Sequence, residues 1–103
     1  MDTTRKTIAV VTPFLNEEGN LPLLYERLTK CMENQPEELR MIFVDDGSTD
    51  GSAAWLAAKA REDKRVCVLR LSRNFGHQIA ITAGMDYADT DCVAIIDADL
   101  QDP

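Results

Sequence analysis

Thr7-Ile8-Ala9-Val10-Val11-Thr12 is a short, β-branched run with no polar face, closed by Pro13, and it reads as a strand buried on both sides. Such a strand belongs to a parallel sheet covered by helices, and the chain that follows alternates accordingly. Leu21, Leu24, Leu28 and then Cys31 or Met32 recur at helical spacing. Asn20 can cap that helix, Pro22 is tolerated in its first turn, and Asn34-Gln35-Pro36 ends it. Met41-Ile42-Phe43-Val44 is a second buried strand. A helix from about Ser52 to Ala60 follows, with Ala53, Leu56, Ala57 and Ala60 on one face. Val66 to Leu71 is a third strand, a helix runs around Gln78 to Tyr87, and Val93 to Ile96 is the fourth strand. The reading is an α/β fold: a parallel four-strand sheet with flanking helices and right-handed crossovers. The chain stops just after its fourth strand, at Pro103, and so reads as a truncated domain, residues 1–103 forming one portion of it.

At 103 residues and 45% hydrophobic content the chain can bury one core. A formal net charge of −7 excludes a non-specific nucleic-acid binder, because neutralising phosphates needs clustered Lys and Arg. Cys31, Cys67 and Cys92 lack zinc-ligand spacing and read as small buried hydrophobes in a reducing compartment. No apolar run approaches a membrane span, and the N-terminus leads into a strand without a secretory apolar segment, so the expectation is a soluble, cytosol-facing chain.

The polar clusters fall where strands end. Pro13-Phe14-Leu15-Asn16-Glu17, Asp45-Asp46-Gly47-Ser48 and Asp97-Ala98-Asp99-Leu100-Gln101 each follow an apolar run. In open α/β sheets ligands bind outside the carboxyl ends of the strands, where strand order reverses. Asp97 and Asp99 are two apart on extended chain, so their carboxylates project to one side and repel unless a cation joins them. Hard oxygen ligands select magnesium or manganese, with Gln101 a further neutral oxygen, and such an ion can hold a diphosphate and stabilise its departure. Asp97 and Asp99 are therefore the candidate catalytic pair. A surface turn of solvated acids is the bland alternative, which the company of the other two clusters disfavours.

Asp45 and Asp46 are adjacent and face opposite ways, so only one can enter the cleft while the other serves the turn. Ser48 to Gly51 reads equally well as turn and helix-cap chemistry. Asn16 and Glu17 precede a helix N-terminus, where capping is the better reading taken alone and, beside the other clusters, a role in holding a nucleoside ligand is favoured. Arg73, in Arg73-Asn74-Phe75-Gly76, can counter phosphate charge, whereas His77 reads as a structural or capping residue.

Taken in order, Pro13-Phe14-Leu15-Asn16-Glu17-Glu18, Val44-Asp45-Asp46-Gly47-Ser48, Arg73-Asn74-Phe75-Gly76 and Asp97-Ala98-Asp99-Leu100-Gln101-Asp102-Pro103 resemble the family 2 inverting glycosyltransferases, and most of all their polyprenol-phosphate branch. The resemblance implies a Rossmann-like GT-A fold in which Pro13, Leu15, Glu17, Val44 and Asp46 line the nucleoside pocket. It implies that Asp97 and Ala98 contact the donor and that Asp99 and Gln101 carry Mg2+ or Mn2+. It also implies transfer of a hexose, with inversion, from a nucleotide-diphosphate sugar to a polyprenyl phosphate at the cytoplasmic face of a membrane. The stretch around Arg73 is more like the undecaprenyl-phosphate enzymes, which favours a UDP-linked hexose over GDP. Oligomeric state stays open. Two other classes compete: a fragment that binds nucleotide sugar without turnover, and a phosphoacceptor receiver domain. The latter needs an acidic pair after the first strand, where this chain has Thr12-Pro13-Phe14. A dinucleotide-binding oxidoreductase would need a Gly-x-Gly-x-x-Gly that is absent there.

Overall fold

The computed structural model describes residues 6–33, 35–71, 76–88, 90 and 92–96, leaving aside the side chain of His77. Its elements are β1 (Thr7–Phe14), α1 (Leu21–Met32), β2 (Glu38–Asp45), α2 (Ser52–Glu62), β3 (Val66–Arg70), α3 (His77–Tyr87) and β4 (Cys92–Ile95). The four strands form one parallel sheet in the order β3-β2-β1-β4. The chain thus steps outward from β1 to β3, then returns across the sheet to place β4 on the far side of β1.

Alternation along the strands divides the core in two. Val10 and Phe14 of β1, with Met41 and Phe43 of β2, pack against Leu21, Leu24 and Leu28 of α1 and Leu56 of α2. The other face carries Ala9, Val11, Ile42 and Val44 against Ala80 of α3. Because the direction of travel and the covered face reverse together at β4, all three crossovers share one hand. Helix α3 lies close to the sheet: a Cβ on the buried Gly84 would run into Val11 Cγ1 and stand 3.0 Å from Val44 Cγ2.

Several expectations need correction. Pro13 does not close β1; the strand continues to Phe14, with Pro13 in register with Val44. Asn20 occupies the cap position of α1 in a helical conformation, and its side chain makes no cap hydrogen bond but turns back to Glu17 Oε1 at 2.8 Å. Met32 takes the last inward position of α1, leaving Cys31 exposed. On α2 Trp55 packs against the core while Ala57 faces solvent, so the buried stripe is rotated from the one the alanines suggested. Strand β4, last in the order of the described sheet, is exposed at every residue, Cys92 included. The cysteines are therefore not uniformly buried: only Cys67 is partly covered.

Candidate functional site

The carboxyl ends of β1 and β2 lead into two loops that are joined to one another by side chains. Asn16 has left-handed backbone, φ 54°, in which Asn is several-fold enriched over other non-glycine residues. Its N–H donates to Ser48 Oγ at 2.8 Å, and its Oδ1 accepts the N–H groups of Thr49 at 2.8 Å and Asp50 at 3.2 Å. The Glu17 N–H donates to Ser52 Oγ at 3.1 Å, and the Glu18 N–H to Asp50 Oδ2 at 3.2 Å. Glu18 Oε1 in turn accepts the Gly51 N–H at 3.0 Å, and Asp50 Oδ1 accepts the Ser52 N–H at 2.9 Å. Backbone donors at loop and helix starts, which would otherwise lack partners, are thereby satisfied reciprocally across the two loops. The hydrogen bonds from the Ser52 hydroxyl and the Ser52 and Glu18 backbones hold the Asp50 carboxyl below its ordinary range.

Adjacent aspartates divide the work as strand alternation requires. Asp45 is fully buried, and its Oδ1 accepts the N–H groups of Gly47 at 3.1 Å and Ser48 at 2.7 Å, closing the turn that Gly47 completes at φ 98°. Its Oδ2 has no hydrogen-bond partner and lies 3.9 Å from Nε of the largely exposed Arg70. Thr12 Oγ1, on the same face one strand away, is likewise buried without a partner. Asp46 points the other way and is 5% exposed. Its Oδ2 accepts the N–H of Gly76 at 3.1 Å, linking the end of β2 to the start of α3. Gly76 has φ 99° and ψ 158°, backbone open essentially to glycine alone.

Among the residues predicted for the nucleoside, Leu15 is 40% exposed at this edge and Glu17 is half-buried beside it. Glu17 also anchors the turn: its carbonyl accepts the N–H groups of Asn20 and Leu21 at 3.0 Å each. Pro13 and Val44 are neighbours across the ladder and both buried; Val44 is fully so beneath α3. The structure brings Leu15, Glu17 and Asp46 to one end of the sheet. The predicted Arg73, Asp97, Ala98, Asp99 and Gln101 lie outside the described residues, so the proposed metal ligands and donor contacts there have no geometry to report. The last described rung of β4, Ile96 N–H to the Val11 carbonyl at 3.1 Å, sets the residue before Asp97 beside β1 at the point where strand order reverses. Among the described residues no three His, Cys, Asp or Glu side chains gather into a metal site.

What sequence reasoning missed is the joining of the loops. Asn16, Glu18, Ser48, Asp50 and Ser52 bond to partners 32 to 35 positions away. Read within its own loop, each is a turn or cap residue.

Residues 9–103 match the family described as Glycosyl transferase family 2. The chain belongs to this family. Within it, the chain is 48% identical to an uncharacterized glycosyltransferase, YkcC, of Bacillus subtilis strain 168, over 92% of this chain and 29% of that protein. It is 46% identical to the undecaprenyl-phosphate 4-deoxy-4-formamido-L-arabinose transferase of Proteus mirabilis strain HI4320, over 93% of this chain and 30% of the relative. With the bactoprenol glucosyl transferase of Shigella phage SfV it shares 41%, over 93% and 31% respectively. The chain therefore spans about a third or less of these relatives' lengths. Among solved structures, the mannosyltransferase PcManGT of Pyrobaculum calidifontis, in complex with GDP-Man and Mn2+, superposes with a TM-score of 0.73 at 27% identity, over 94% of this chain and 28% of that one. TarS of S. aureus, residues 1–349 in complex with UDP, gives 0.77 at 26% identity, over 90% and 27%. The GT-A-like parallel sheet expected from the sequence is thus the fold the chain adopts.

Proposed function

We propose that the chain is the donor-binding portion of an inverting glycosyltransferase that transfers a hexose from a nucleotide-diphosphate sugar, UDP-linked by preference, to a polyprenyl phosphate at the cytoplasmic face of a membrane. The observation that carries this reading is the joined pair of loops at the carboxyl ends of β1 and β2, which brings Leu15, Glu17 and Asp46 to the end of the sheet where the order reverses. The Asp46 carboxylate, an acceptor only, suits a base N–H or a ribose hydroxyl, and Leu15 offers an apolar surface to the base. Relatives named for bactoprenol and undecaprenyl phosphate support a lipid-phosphate acceptor, and neighbours holding GDP-Man and UDP support a nucleotide-linked donor.

The carboxylate and amide oxygens of Asp99 and Gln101 are hard donors that fit Mg2+ or Mn2+, and the complex of the mannosyltransferase neighbour holds Mn2+. Bound there, such an ion would neutralise the charge that develops on the leaving diphosphate. A phosphate oxygen of the acceptor forms the new bond to the anomeric carbon as the bond to the nucleoside diphosphate breaks, from opposite faces of the sugar. The acceptor is already an anion, so this chain need supply no general base. Its residues hold the nucleoside and place the anomeric carbon in line.

The test is thermal unfolding with UDP or GDP, each with and without manganese. A raised melting temperature is expected, and Asp99→Ala should abolish the contribution of manganese while leaving the fold intact. If neither nucleotide shifts the transition at millimolar concentration, the donor-site reading fails.

A further inference from the structure

We propose that Asn16 is a positioning residue of the donor site, setting the distance between the β1 loop that carries Leu15 and Glu17 and the β2 loop that carries Asp46 and Ser48. The inference rests on the donor-site reading above and assigns a role to a residue which that reading leaves unused.

Asn16 combines two properties. Its φ of 54° turns the chain sharply after β1, so that the next N–H, that of Glu17, reaches Ser52 Oγ at the start of α2. Its side chain then fastens the same two loops from the opposite side. Oδ1 accepts from both Thr49 and Asp50, which uses both its lone pairs and fixes the orientation of the amide, since the reversed one would set NH2 against N–H. The backbone N–H completes the set by donating to Ser48 Oγ, while the Ser48 N–H is held by buried Asp45. Asn16 is therefore tied to Asp45 through Ser48, and Asp45 is the residue before Asp46 on the same rigid strand end. Glu17 and Asp46, which approach a nucleoside from two loops, cannot change their separation while Asn16 holds Thr49, Asp50 and Ser48. Asn16 is itself exposed at the rim, so it acts through the loops it joins. A ligand that must be met from both loops at once binds more tightly to a pair already held in place.

Titration of the complete protein with UDP and with GDP, each with manganese, tests this, alongside far-ultraviolet circular dichroism of every variant. Asn16→Gly keeps the left-handed backbone accessible and removes only the acceptor; affinity should fall by about tenfold, with the folded spectrum retained. Ser48→Ala breaks the same joint from the other loop and should cost a similar factor, with the double variant losing little more than either single one. Asn16→Asp keeps the acceptor and should remain within about threefold of the unmutated protein, which preserves the test if the glycine variant does not fold. Unchanged affinity in Asn16→Gly overturns the proposal. So do losses that multiply in the double variant, to about a hundredfold, since they would place Asn16 on the nucleotide itself. Failure of the unmutated protein to bind either nucleotide overturns the donor-site reading before any variant is made.

Discussion

The two faces of the sheet are built on different principles. The face under α1 and α2 is filled by volume, with Phe43, Met41, Leu21 and Leu56 all fully buried. The face under α3 sets Ala9, Val11, Ile42 and Val44 against Ala80 and Gly84, and there the helix is seated by close approach. A volume-filled face stores most of the hydrophobic free energy and says little about where its helices stand to within an ångström. A face on which a glycine lets the helix come close fixes the helix position tightly, and here that helix is capped at Gly76, whose N–H is held by Asp46. The partner of Asp46 is thus positioned from the α3 face, while the loops joined through Asn16 and Asp45 lead into α1 and α2 on the other.

The largest effect should come from the first face. Phe43→Ala should lower unfolding free energy by about 3–5 kcal/mol, through lost transfer energy and the cavity left behind, measured by denaturant titration. The surviving folded molecules should bind nucleotide with unchanged affinity. Gly84→Ala is expected to cost less, about 1–3 kcal/mol, because the new methyl meets Val11 and Val44 directly. In contrast to Phe43→Ala, it should also weaken nucleotide binding by lifting α3 away from Asp46. A Gly84→Ala protein with full affinity would dissolve the contrast between the faces.

The smallest effect concerns the rim of the volume-filled face. There Asp63 accepts the Tyr25 hydroxyl at 2.6 Å and an Arg65 guanidinium N–H at 2.7 Å, joining α1, the end of α2 and the start of β3. Arg65 first, then the Tyr25 hydroxyl, hold the Asp63 carboxyl far below the usual carboxylate range. A carboxyl depressed on folding stabilises the fold at pH above its unfolded value and ceases to do so as pH falls through the folded one. Asp63→Asn should therefore cost about 1–2 kcal/mol near neutrality, and the difference from the unmutated protein should shrink as pH drops below about 4. A difference that does not vary with pH would mean that the pair contributes by packing alone. Nucleotide affinity should not move in either case.

The fold was readable because apolar runs such as Thr7–Thr12 and Met41–Val44 are set by burial on both faces, which leaves an unbroken hydrophobic signature. At β4 the strand itself was legible but its burial was not, Val93 and Ile95 being about two-fifths exposed, since a run of apolar residues does not reveal its place in the strand order. The facing of α2 was not legible at Trp55 and Ala57 either, where small residues carry too weak a preference to orient a helix. At the candidate site, the split between Asp45 and Asp46 followed from alternation, because adjacent residues on a strand must diverge. The joint centred on Asn16 did not, since a hydrogen bond across 32 residues leaves no local periodicity.

Pro13 has a consequence for the ladder between β1 and β4. The pairing Val11 with Ile95, and the bond from Ile96 N–H to the Val11 carbonyl, mean that the next rung between β1 and β4 would run from the N–H of Pro13 to the carbonyl of Ile96. Proline has no such N–H. The zipper between these two strands is thus missing a tooth in its covalent structure, one residue before Asp97. A hydrogen bond absent for this reason cannot be restored by any rearrangement of the backbone.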